Sequence, residues 1–317
     1  MKKYLGIIVR TLVSVGLLVY LFHSIVQEQG AAALWTAARS IQPGWFVAAI
    51  LFNGICCALG VWRWQMILRA LGLELKLARV NSIYFVGLFF NAFTFGSTGG
   101  DVIKAWYVAS ETHHQKTEAV TTVVLDRLIG LLALFALALG GLAFGYGRVF
   151  DDPRLRPVGW VMLAFIAGTI AASLLGLWVR KLPATAQRVL DAYRVCATHP
   201  GLVVQTALLS VGVHVANILT FLCVGIGLGI SAAGVADYFV YLPIIIAISS
   251  IPVTISGFGV REALFALLFS KAGVAASTAV ALSLLGYFAK LFWSVVGGFF
   301  FLTHRKELPP LAEATTA

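Results

Sequence analysis

Long apolar runs, cut at intervals by glycine and by charge, set the pattern of this chain. A spanning helix needs about 20 apolar residues. Runs near that length predict helices over about Tyr4–Phe22, Pro43–Leu68, Thr117–Gly145, Val158–Val179, Gly201–Gly229 and Ala275–Thr303. Two further apolar regions, Val80–Ser110 and Val235–Ser270, are broken near their middles, at Phe95-Gly96-Ser97-Thr98-Gly99-Gly100 and at Ser256-Gly257-Phe258-Gly259. Their arms of about 15 residues give roughly 22 Å of helix, short of a bilayer. Charge follows each break: Asp101 and Lys104 after the first, Arg261 and Glu262 after the second. A helix break at membrane depth is tolerated where protein or a wet cavity surrounds it.

The basic positions predict orientation. The N-terminal lysines, Arg63–Arg79, Arg180–His199 and His304-Arg305-Lys306 belong in the cytoplasm, because loops rich in Lys and Arg stay inside. One path satisfies all four. The first broken region enters from the cytoplasm and returns to it, and the second enters from outside and returns there. The expected fold is all-α: a polytopic membrane protein with about six spanning helices and two re-entrant helical hairpins. Two closely packed full spans are the alternative for each hairpin.

A repeat emerges from the same boundaries. Pro43 to Gly201, Gly99 to Gly257 and Thr117 to Ala275 are each separated by 158 positions. Each unit reads helix, broken hairpin, helix, and the helix between the units reverses the second, as in an inverted-topology repeat. The expected organisation is an anchor helix and loop over 1–42, a first repeat over 43–147, a linking helix and basic interfacial segment over 148–200, a second repeat over 201–303 and a cytoplasmic tail over 304–317.

Composition narrows the class. Apolar residues make up 60% of the chain and charged ones 11%, with mean hydropathy +0.93. Soluble domains carry about 25% charge, so no sizeable soluble domain is expected. The net charge of +10 suits loops beside anionic lipid. Nucleic-acid binding would need a basic soluble face, and none is expected. Cys56, Cys57, Cys196 and Cys223 show no metal-ligand spacing and read as small buried hydrophobes. No nucleotide-binding loop and no protease or esterase motif is present, so neither a cofactor nor catalysis is expected.

The charges at membrane depth are the candidate chemistry. Asp101 and Ser256 are placed to cap the returning half-helices, whose positive ends attract anions and phosphate in particular. Gly99, Gly100, Gly257 and Gly259 shape the two tips. Two readings stay open for the hairpin charges: Asp101 and Glu262 pair with Lys104 and Arg261 to lock the hairpins, or those pairs exchange with a charged headgroup. Asp126 and Arg127 lie about 14 Å into their helix and point about 100° apart, so each needs its own partner. Lys290 sits mid-helix, too deep to snorkel, and is expected to line a cavity. His214, one turn from Asn217, reads as a satisfied core histidine, with a proton-relay role as the alternative. Asp101, Asp126 and Glu262 stand against Lys104, Arg127, Arg261 and Lys290, an excess of one cation.

Gly99-Gly100-Asp101-Val102-Ile103-Lys104 and Ser256-Gly257-Phe258-Gly259-Val260-Arg261-Glu262-Ala263 resemble the two signatures of the lysylphosphatidylglycerol synthase transmembrane family, also called flippase-like membrane proteins. Asp126-Arg127-Leu128-Ile129-Gly130 resembles a third, weaker one. The similarity covers about Pro43–Thr303. Lys104 stands where an arginine is common in the family, and Phe95 lies where proline is frequent. The resemblance implies a translocase domain for an anionic or zwitterionic phospholipid or lipid-linked headgroup. It implies a multi-pass protein of a bacterial-type cytoplasmic (inner) membrane with both termini cytoplasmic. Bifunctional relatives carry a soluble aminoacyl-transferase domain after the last helix. Here the chain ends at Ala317, and no such activity is expected. The expected partner is a membrane phospholipid, and a homo-oligomer fits as well. An accessory subunit or intramembrane enzyme of a lipid-modification pathway, and a secondary transporter of a small anionic solute, are the competing classes. A lipid route should open sideways between helices, whereas a solute route should be sealed from the bilayer.

The predicted topology is checked by labelling. Single cysteines at Glu111 and Lys271, with the native cysteines replaced, should react with a membrane-impermeant reagent from opposite sides, Glu111 from the cytoplasm. Labelling from one side would remove the inverted repeat.

Overall fold

The computed structural model describes residues 35–36, 39–93, 99–112, 116–153, 155–178, 199–250 and 259–303. The anchor helix expected at Tyr4–Phe22, the basic residues Arg180–Arg194, the tail after Thr303, and both tips, with Phe95, Ser256 and Gly257, lie outside the described residues. Everything described is helix or short connection. The helices are α1 (Pro43–Ala70), α2 (Leu77–Phe93), α3 (Gly99–Glu111), α4 (Lys116–Phe144), α5 (Tyr146–Phe150), α6 (Arg156–Trp178), α7 (Pro200–Gly227), α8 (Val235–Ser249), α9 (Val260–Lys271) and α10 (Ala276–Thr303). The apolar runs thus become helices within a few residues of their expected ends. The short α5, inside the loop expected at Arg148–Pro157, was not anticipated, because five residues carry too little periodicity to read.

Among the described residues four helices are long and apolar enough to cross a membrane: α1, α4, α7 and α10. The chain is a polytopic all-α membrane protein. Their outward faces support this. On α10, Phe288, Phe292, Val295, Phe299 and Leu302 recur every three to four residues and are exposed. Such a stripe covers one side of a helix and suits hydrocarbon. Proline opens both α1 and α7, where its missing N–H has no intrahelical partner to lose. The hairpin arms are shorter. Helices α2, α3, α8 and α9 hold 17, 13, 15 and 12 residues, about 18–26 Å at the helical rise against a hydrocarbon core of about 30 Å.

The packing of the two halves is interchangeable. Helix α1 packs on α7, α2 on α10 as α8 on α4, α3 on α4 as α9 on α10, and α1 on α10 as α7 on α4. Exchanging the halves leaves this pattern unchanged. The α1–α7 pair is antiparallel: the N–H of Gln42 meets the carbonyl of Gly227, Leu59 lies by Gly212, and Arg63 reaches Ser210.

Glycine permits the closest approaches, and does so twice. A Cβ on Gly297 of α10 would collide with the carbonyl oxygen of Phe85 on α2, and one on Gly141 of α4 would lie 3.0 Å from that of Phe239 on α8. Phe239 O is one turn before Pro243, which has no N–H to offer it. Tyrosine rings repeat the device: Tyr84 lies over Gly60 and Tyr238 over Gly225.

Gly297→Val should lower stability by about 1–3 kcal/mol, because the added carbon meets backbone rather than a side chain that can turn away. Gly140→Ala, where a Cβ meets nothing within 4 Å, should be neutral or stabilising by about 0.4–1 kcal/mol. Thermal melts in detergent compare the two; equal losses would contradict the packing.

Candidate functional site

The first charged cluster is assembled from four helices. Asp126, early in α4, is 5% exposed and faces Arg63 of α1, 7% exposed. Arg63 Nε donates to Asp126 Oδ1 at 2.8 Å, and its Nη1 donates to Ser210 Oγ of α7 at 2.9 Å. Ser210 passes its own proton to the carbonyl of Thr206, 2.7 Å away. Lys104 of α3 approaches from the other side, its Nζ 3.8 Å from Asp126 Oδ2. The ammonium also sits 4.2 Å from the ring centre of Trp64 and 4.6 Å from that of Tyr84. A desolvated cation over two aromatic faces gains attraction from both ring quadrupoles.

Glycines make room for this cluster. Gly130 lies one turn after Asp126, and a Cβ there would stand 3.2 Å from Arg63 Nη1. Gly87 of α2 clears the stem of Lys104, and Gly100 lets α3 close against the carbonyl of Gly87. The N–H of Gly100 is taken by Asn91 Oδ1 at 2.8 Å. In the Gly99-Gly100 pair, then, Gly100 serves hairpin closure. Gly99 begins α3.

Asp101 does not pair with Lys104 as the sequence suggested. It sits in the first turn of α3 rather than at the cap, and its Oδ2 accepts from Arg127 Nε at 2.7 Å and Nη2 at 2.6 Å. The reason is α4, which presents Arg127 and Asp126 on neighbouring faces, Arg127 to Asp101 and Asp126 to Lys104. Consecutive Asp126 and Arg127 thus find separate partners, as their divergence requires.

The second cluster is local to α9 and α10. Gly259 caps α9 with φ at +85°, in the left-handed region that glycine tolerates. The cap expected at Ser256 is therefore placed three residues too early. The Gly259 N–H donates to Glu262 Oε2 at 2.7 Å. Glu262 Oε1 accepts from Arg261 Nη2 at 2.5 Å, from Arg261 Nε at 2.9 Å and from Ser283 Oγ at 3.1 Å. Arg261 lies over the Tyr287 ring at 4.6 Å. Here the expected pairing of Arg261 with Glu262 is made. The half-helix end itself is occupied by its own carboxylate, so the helix N-terminus is not an open anion site.

Lys290 lies between the clusters. Its Nζ is 5.0 Å from the centre of the Phe221 ring, and it is close enough to Arg261 to be repelled by it. Among the described residues no carboxylate pairs with it. His214 of α7 donates from Nε2 to the carbonyl of Gly130 at 2.9 Å. Among the described residues, no group of three His, Cys, Asp or Glu could hold a metal ion.

The chain matches the family described as lysylphosphatidylglycerol synthase TM region over residues 7–298. It belongs to that family. No curated protein matches it. The motifs that carried the resemblance are the ones that build the two clusters, and Asp126-Arg127-Leu128-Ile129-Gly130 supplies a carboxylate, an arginine and the clearance for Arg63 within five residues. Arg63 itself had been placed in the basic segment following the helix. It is interior: it lies within α1, and Asp126 and Ser210 take its guanidinium. The signal that could have found it is its position inside Trp62-Arg63-Trp64, in an apolar run with seven helical residues still to come. With Arg63 counted, Asp101, Asp126 and Glu262 face Arg63, Lys104, Arg127, Arg261 and Lys290, an excess of two cations rather than one.

Asp126→Asn should destabilise the protein by about 3–5 kcal/mol, since it strands two buried cations. Asp101→Asn should lose under about 1 kcal/mol, because Arg127 is half in solvent, with 50% of its side chain exposed. Melts of both variants in one detergent give the ranking, and the reverse order would displace Asp126 as the central anion.

Proposed function

We propose that this protein moves an anionic or zwitterionic lipid headgroup between leaflets. The observation that carries the proposal is an apolar groove of about 410 Å³ between α4 and α7, beside the first charged cluster. Leu125 and Ile129 on its wall flank Asp126, and Thr206 on the opposite wall accepts the proton of Ser210, the Arg63 partner. Val203 on its lip is 45% exposed on the outer apolar face. A sideways opening of this kind suits a lipid whose chain stays in hydrocarbon while its phosphate reaches charge, and disfavours a sealed solute route.

In this reading the helices form an inverted repeat, α2–α3 and α8–α9 are re-entrant hairpins, and both termini face the cytoplasm of a bacterial-type inner membrane. The interchangeable contacts, the antiparallel α1–α7 pair and the short hairpin arms support it. The headgroup set is Gly99, Gly100, Asp101, Lys104, Asp126, Arg127, Ser256, Gly257, Gly259, Arg261, Glu262 and Lys290, joined by Arg63. The phosphate competes with Asp126 for Arg63 and Lys104, and with Glu262 for Arg261. Lys290 meets it without giving up a carboxylate.

Purified protein in vesicles should move headgroup-labelled phosphatidylglycerol between leaflets, and native mass spectrometry should find phospholipid carried through purification. Lys290→Gln removes one charge-assisted contact worth about 1.5–3 kcal/mol, so the rate should fall roughly 10- to 100-fold with the melt unchanged. Arg261→Gln should lower both rate and melting temperature, and adding Glu262→Gln should restore only the melt. Restoration of both would make Arg261–Glu262 purely structural.

A further inference from the structure

His214 offers a buried proton acceptor that no described donor meets. Its Nε2 faces the carbonyl of Gly130 at 2.9 Å. A carbonyl can only accept, so Nε2 carries the hydrogen and the neutral ring presents Nδ1 as an acceptor. Nδ1 is sealed from solvent and has no hydrogen-bond partner among the described residues. One turn on, and on the same face of α7, Asn217 is 8% exposed and its Oδ1 is likewise sealed and unpartnered. Two buried acceptors one turn apart have no donor among the described residues. Buried polar atoms are ordinarily satisfied, and one proton added at Nδ1 would turn the ring edge from acceptor to donor.

The surroundings decide when that proton is welcome. The titratable and charged groups of the packed helices are Cys56, Cys57, Arg63 and Arg69 on α1, Lys116, Glu118, Asp126 and Arg127 on α4, Asp237, Tyr238 and Tyr241 on α8, and Tyr287 and Lys290 on α10. Of these, Arg63 and Lys290 bear directly on His214. Asp126 is already shared between Arg63 and Lys104. An imidazolium here is repelled by two cations until an anion arrives to offset them.

We propose that His214 binds the proton that drives transport, taken up at Nδ1 and directed at Asn217 Oδ1, and that it does so together with an anionic lipid headgroup between Arg63 and Lys290. This rests on the lipid-translocation reading and names its coupling ion. The proton comes from the aqueous phase, enters the Nδ1 lone pair and leaves by the same atom, while Nε2–H stays on Gly130. Because binding linkage is reciprocal, the headgroup favours the proton as much as the proton favours the headgroup. Asn217 is a positioning residue.

The test uses the full chain in vesicles with headgroup-labelled phosphatidylglycerol, with and without an imposed pH gradient, and with a protonophore. Lipid should move in the direction of proton flow, at least about fivefold faster than without the gradient, the lower end of ordinary linkage, and the protonophore should abolish the difference. In His214→Gln the ratio of the two rates should fall to about one. Wild-type movement that ignores the gradient overturns the proton site and leaves the lipid reading standing. No movement under any condition overturns both. A His214→Gln ratio equal to that of wild type places the proton elsewhere and overturns the assignment. Should that variant fail to fold, the wild type decides: short-chain phosphatidylglycerol added to protein in weak buffer should draw protons from solution, while phosphatidylcholine should draw fewer. Equal uptake, or none, overturns the proposal.

Discussion

A single carboxylate in the interior, Asp126, holds the first half of the molecule in register. It receives Arg63 from α1 and Lys104 from α3, and through Arg63 it is tied to Ser210 on α7. None of these groups can be left alone, because an unpaired charge in a medium without water is far less stable than a paired one. The helices around Asp126 are therefore held at the separations their side chains can bridge. The aromatic faces of Trp64 and Tyr84 complete the enclosure by taking the side of the ammonium that no oxygen reaches.

The second half meets the same constraint by a shorter route. Glu262 is 1% exposed, and its partners are its own neighbour Arg261, the Gly259 N–H and Ser283 of the adjoining helix. Nothing from the first half is needed. The two halves thus share helix order and packing while differing in electrostatics: one cluster spans four helices and carries surplus positive charge, the other is compact and neutral. A substrate that needs a positive interior has reason to prefer the first.

Much of this was readable in advance. Apolar run length placed the long helices, and glycine placed the breaks between α2 and α3 and between α8 and α9, because those features depend on local composition. Partner choice was not readable. Asp101 pairs with Arg127 rather than Lys104 because the packing of α3 on α4 brings the guanidinium to it, a contact that sequence spacing does not contain. Arg63 joins the cytoplasmic charges when Lys and Arg are grouped by sign alone, although it falls inside the Pro43–Leu68 run. Conversely, Arg261 and Glu262 were paired correctly because both sit in one turn. The cap of α9 fell at Gly259 instead of Ser256 since a glycine at positive φ, with Glu262 reaching back to it, satisfies the helix start without a hydroxyl.

The antiparallel pairing of α1 with α7 has a consequence for evolution within the chain. These two helices hold the same place in the packing of their halves, and each is the other's main neighbour. A substitution where they cross changes a surface that both halves present to one another. Drift at the crossing is therefore constrained from both sides at once, whereas the outlying hairpins can diverge independently. The clusters bear this history: Lys104 and Glu262 occupy positions separated by the repeat offset and carry opposite charge, on hairpins that keep the same place in the packing.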